Sequence, residues 1–129
     1  MSATPSFTST PRIGSALISA ASTNLATPTA VAVFTAAAGG SRIHRIDICA
    51  QTTTTAGLIH LFWYDGSNYR IWKSIDVDAI TLAAGTPPFQ ATLLFPEGIP
   101  VPGTTGFTAL YAATHVAEAF VVTAYGGDL

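Results

Sequence analysis

From residue 14 onward the chain alternates apolar and polar residues with a period of two, in short runs bounded by Gly, Pro, Asn and Asp. That period marks β-strands, because successive side chains of a strand point to opposite faces. Residues 15–22, 29–36, 42–51, 58–64, 69–77, 89–95, 108–114 and 119–125 are expected as strands. Eight short strands at this spacing predict an all-β fold, an antiparallel β-sandwich of jelly-roll type. The Ala-rich window at 16–26 has helical propensity, but its interleaved Ser, Thr and Ile favour strand.

The sharpest local signal is an aromatic hairpin. Residues 58–64 and 69–77 flank Asp65-Gly66-Ser67-Asn68, and Asp-Gly tolerates the positive φ of a tight reversal. Both faces of the first arm are apolar, with Leu58, Phe62 and Tyr64 on one and Ile59, Leu61 and Trp63 on the other. One face is expected in the core and the other against something else. On the second arm, strict alternation groups Ile71, Ile75 and Val77 against Arg70, Trp72, Ser74 and Asp76. Trp72 is therefore expected at a chain–chain contact and Trp63 in the core, with Tyr64, Tyr69 and Arg70 as further interface candidates.

Phe95-Pro96-Glu97-Gly98-Ile99-Pro100-Val101-Pro102-Gly103 is expected as a sheet edge or a connection between sheets, since proline lacks the ladder donor. His115, Val116 and Ala117 sit in a short turn before the last strand. At the other end, residues 1–12 read as an extended arm and residues 13–129 as a single β-sandwich domain. The arm is Ser, Thr and Pro with one large apolar residue, Phe7, too little to fold alone. A neighbouring subunit would order it, with Phe7 as the anchor.

Composition narrows the class. The 129 residues are 49% hydrophobic and 9% charged, against roughly a quarter charged in ordinary soluble domains. So apolar a chain is not disordered. With a net charge of −2 and a single lysine, Lys73, it lacks the basic cluster of a nucleic-acid binder. The single cysteine, Cys49, cannot close an internal disulfide. No secretory signal is visible at the N-terminus, and no apolar run is long enough for a membrane helix. A surface this poor in charge is expected to be covered by other chains, so the protein is expected to be a homo-oligomer.

Catalytic chemistry finds little footing. There is no Gly-x-Ser-x-Gly elbow, phosphate-binding glycine loop or paired-histidine metal motif. Cys49 with His44 or His60 is a formal thiol pair, but its strand puts Ile46, Ile48 and Ala50 on one face and leaves Cys49 as a small residue on the other. Asp76 and Asp78 share a strand face, an arrangement that holds a cation or, more commonly, ends a strand in solvent. Trp63, Tyr64, Tyr69 and Trp72 would form a sugar-stacking platform if all were exposed, but an aromatic hairpin more commonly serves core packing and subunit contact. The expectation is no enzyme, no cofactor and no metal site.

Three stretches carry a resemblance: Leu61-Phe62-Trp63-Tyr64-Asp65-Gly66-Ser67-Asn68-Tyr69-Arg70, the proline-rich segment at 95–103, and the ending at 114–129 that closes with Tyr125-Gly126-Gly127-Asp128-Leu129. Together, over residues 40–129, they resemble small β-sandwich virion proteins of tailed bacteriophages. The resemblance implies a structural particle protein located in the virion and made in the host cytoplasm. The expected role is a capsid decoration protein, most simply a trimer, bridging subunits of the major capsid protein. The alternatives are a neck, tail or fibre component, or a carbohydrate-binding module that touches the host surface.

Overall fold

In the computed structural model, which describes residues 10–103 and 106–129, the chain forms eight antiparallel strands in two four-stranded sheets. They are β1 (Thr10–Ile18), β2 (Val31–Thr35), β3 (Ser41–Ala50), β4 (Gly57–Tyr64), β5 (Tyr69–Val77), β6 (Gln90–Val101), β7 (Ala109–Thr114) and β8 (Phe120–Asp128). The first sheet has the order β1-β8-β3-β6 and the second β2-β7-β4-β5.

One rule generates this order. β4 pairs with β5, β3 with β6, β2 with β7 and β1 with β8, as if the chain were one long hairpin whose tip is the turn after Tyr64. Rolling that ribbon adds two contacts, β3 against β8 and β4 against β7. Every connection except the tip then passes from one sheet to the other, which is the jelly-roll arrangement.

The core lies between the sheets and is aliphatic at its centre. Ile43, Ile46 and Ile48 of β3 meet Ile59 and Leu61 of β4, with Phe34 and Phe120 filling the flanks. Ile43 and Ile46 both point inward although three positions apart. A bulge between Ile43 and Arg45 shifts the strand's phase and leaves His44 and Arg45 outside.

The sandwich closes differently along its two sides. On one, β1 approaches β2 so closely that a Cβ on Gly14 would lie 2.2 Å from the Val33 carbonyl oxygen. Only glycine permits this approach. Arg12 stitches the same seam, its guanidinium 4.2 Å above the Phe34 ring and donating to the Thr35 carbonyl at 2.6 Å. On the other side, Trp72 of β5 meets Phe95 of β6 with ring centroids 5.5 Å apart.

Several expected boundaries shift. β5 spans the expected residues, but β1 begins at Thr10 and ends at Ile18, so residues 10–12 of the expected arm are strand. Pro11 is accommodated because β1 is an edge strand, and it sits opposite Gly127. Phe7 lies outside the described residues. The proline-rich segment is an edge, as one expected alternative had it, but it does not cross between sheets: β6 continues along β3, with Pro100 opposite Arg42. Phe95 to Gly98 form an irregular stretch opposite His44, where Gly98 takes a φ of 75°.

Candidate functional site

The sheet divides the four rings of the aromatic hairpin between its two faces. Trp63 is buried on the inner face, its ring 4.8 Å from Trp72 and 5.9 Å from Phe107. Trp72 is half-buried and packs on the same core, not on the outer face with Ser74 and Asp76. A bulge separates it from those two: Phe62 pairs with Ile71 and Leu61 with Lys73, so Trp72 is the inserted residue. Beyond it the alternation changes phase, and Trp72, Ile75 and Val77 all reach the core. Arg70, opposite Trp63, remains exposed. The alternative of a sugar-stacking platform made by Trp63, Tyr64, Tyr69 and Trp72 therefore does not form.

Tyr64 and Tyr69 stay on the outer face of the second sheet and are joined by Tyr111 of β7. The three rings form a triangle with centroid separations of 4.7, 5.2 and 5.2 Å. Beside them Phe62 is fully buried although it lies outside the sandwich core, with Tyr69 edge-on at 6.3 Å and His60 at 6.2 Å. Much of what meets the outer face of β4 is thus the chain's own rings. Burial, and then the neighbouring Tyr111 and Tyr64, raise the Tyr69 phenol above its usual range. The turn at the tip is held by the Asp65 carboxylate, which accepts from the backbone N–H of Asn68 at 2.7 Å and of Ser67 at 2.9 Å. Those two bonds lower its pKa.

On the same face His60 places Nδ1 2.8 Å from the Ser74 hydroxyl. A serine beside an imidazole is the beginning of a nucleophile and base pair. His60 hydrogen-bonds to no carboxylate among the described residues, so nothing there orients the ring as a triad's third member does. Burial, followed by the nearby His115, lowers the His60 pKa. Composition did not reveal this pair, because it depends on the same bulge: without it His60 would lie opposite Lys73. Among the described residues, no three His, Cys, Asp or Glu side chains gather to hold a metal ion.

The outer face of the first sheet is of another kind. Ile13, Leu17 and Leu94 stand on it 64%, 56% and 68% exposed. Between them, Arg45 and Asp47 form an ion pair at 2.6 Å, with the Thr92 hydroxyl donating to Asp47 at 2.9 Å. Arg45 also lies over the Tyr125 ring at 5.1 Å. The hydrogen bond from Arg45 holds the Asp47 carboxyl below its usual range. Cys49 sits half-buried at one end of this pair, beside a shallow depression of about 190 Å³ that Gln90 and Thr92 help to line. A second depression, of about 420 Å³, follows the irregular stretch of β6 from Leu94 to Ile99.

The arrangement offers surfaces to be covered more than a cleft in which a substrate is enclosed. Comparison with models of known protein families and with curated proteins finds no match.

Proposed function

We propose that the protein is a structural virion protein of the tailed-bacteriophage type, a capsid decoration protein that works by covering seams between capsid subunits and not by turnover. The observation that carries the reading is the outer face of the first sheet. Large aliphatic side chains more than half exposed, in a chain with 9% charged residues, suit a surface that is buried in an assembly. The resemblance of residues 61–70, 95–103 and 114–129 to phage particle proteins gives that assembly its kind. The jelly roll is compatible, being used by viral coats, although by itself it also serves lectins. Each copy would add a modest contact, and many copies on one shell would sum to a large resistance to rupture.

Quantitative mass spectrometry of purified particles, from a phage whose genome encodes this chain, tests the reading. The expected result is a copy number that scales with the capsid subunits. A handful of copies per particle would move the protein to the neck, tail or fibre. Absence from particles, with glycan binding by the isolated chain, would replace the reading with a lectin acting through its tyrosine face.

A further inference from the structure

We infer that the outer face of the first sheet is a self-association surface, on which two copies of this chain pack face to face about a two-fold axis. This two-fold pairing takes the place of the trimer that the resemblance implies, and it stands apart from the virion reading.

Three observations select this face and a second copy as its cover. The first is where apolar surface remains open. On the second sheet Phe62 is already covered by Tyr69 and His60 and Ile71 alone stands 48% exposed beside it, whereas on the first Ile13, Leu17 and Leu94 all protrude from its two edge strands with more than half their surface free.

The second is charge. Arg45 and Asp47 neutralise one another at the middle of the face, with Arg42 and His44 grouped at its Gly98 end. Arg45 and Asp47 stand two positions apart on β3 and flank Ile46, which points inward. A two-fold axis lying in the contact plane, crossing β3 at Ile46, sets Arg45 of each copy over Asp47 of the other. The face is therefore complementary to itself, as an isologous contact requires. A desolvated ion pair roughly breaks even, so in this arrangement the four charges fix the register and the aliphatic side chains supply the affinity.

The third is size. Four strands about 4.8 Å apart and some nine residues long, at about 3.3 Å each, present roughly 550 Å² per copy. Two copies would bury about 1,100 Å², just above the roughly 1,000 Å² expected of a specific interface. The contact is predicted to be real and reversible.

Cys49, the sole cysteine, lies on this face and serves as a native reporter. The test is sedimentation velocity of the full chain over a concentration series, with the rate of Cys49 alkylation by N-ethylmaleimide read in the same samples. The expected result is a monomer–dimer equilibrium in which alkylation slows as dimer accumulates. Leu17→Lys with Leu94→Lys, both at exposed positions, should keep the melting temperature and raise the dissociation constant at least about tenfold. Arg45→Asp should weaken the dimer, and adding Asp47→Arg to it should restore association.

A wild-type chain that stays monomeric throughout would overturn the inference. So would association that leaves alkylation unchanged, since another face would then be in use. Slow alkylation at every concentration, relieved by deleting residues 1–9, would show that the chain's own leading segment covers the face. A monomer that still enters particles would end the two-fold contact and leave the structural role standing. A dimer absent from particles would do the reverse.

Discussion

Arg12 at the start of β1 donates from Nε to Oδ1 of Asp128 at the end of β8, 3.0 Å away across 116 positions of sequence. Ser41 of β3 donates to the same oxygen at 2.7 Å, and Arg12 reaches Ser41 as well at 3.2 Å. Strands from the start, the interior and the end of the chain are thereby tied at one corner.

That corner predicts an acid-labile contribution to stability. The Ser41 hydroxyl, and then the Arg12 guanidinium, hold the Asp128 carboxyl below its ordinary range. In the unfolded chain it protonates near pH 3.9, so its contribution is complete above about pH 4 and disappears as pH falls through the lower folded value. Urea midpoints measured from neutrality downward should fall steeply below about pH 4 in the wild type and less steeply in Asp128→Asn. Identical slopes would show that the corner does not titrate with folding.

His60 predicts a second pH dependence at a milder range. Its burial, with His115 nearby, favours the neutral ring in the folded state. The unfolded ring protonates near pH 6.5, so stability is full above that value and declines as pH drops toward the lower folded pKa. The denaturation midpoint should therefore fall between about pH 7 and pH 5, and His60→Gln should remove most of that fall. A variant that keeps the whole decline would place its origin elsewhere.

The two tryptophans should be energetically coupled. Trp63→Ala empties a core site and is expected to cost about 3–5 kcal/mol, with Trp72→Ala costing less because it is half-buried. A double-mutant cycle should return an interaction of about 0.5–1.5 kcal/mol, the usual range for aromatic pairs. Strict additivity would mean that the 4.8 Å contact is incidental.

Gly14→Ala should destabilise by about 1–3 kcal/mol, because the new methyl group meets the Val33 carbonyl and forces β1 away from β2. Gly85→Ala is the matched control. No heavy atom lies within 4 Å of its Cβ position, and a change within about 0.5 kcal/mol is expected. Equal effects in guanidinium denaturation would argue that the seam yields without cost.

These residues also show what the sequence reveals and what it withholds. The eight strands and the two-sheet fold were legible because each strand carries its own period-two pattern and its own turn residues. β5 matched to the residue because a turn with Asp65 and Gly66 fixes its start. The faces were harder to read. The ladder running back from the Tyr64 and Tyr69 pair already sets Trp72 on the inner face, yet strict alternation places Ile75 and Val77 opposite to it. Only an inserted residue lets all three reach the core, and no local signal marks where it falls. The boundary of β1 was hidden for another reason. Pro11 and Arg12 look like arm until β8 supplies a ladder and Asp128 a partner, both from the far end of the chain. The outer face of the first sheet was missed because its apolar residues come from β1 and β6, which are neighbours of β8 and β3 only in space.

The nested pairing has a mechanical consequence. Thr10 lies opposite Asp128, so the ends of the outermost pair sit at the same rim of the first sheet. Ladder bonds in an antiparallel pair run across the strands, so tension applied to these two ends opens them one rung at a time, in the manner of a zip. Tension applied along the strands, at opposite ends of β1 and β8, would instead load every rung together. Any assembly that strains this module would therefore leave the two ends at that shared rim slack.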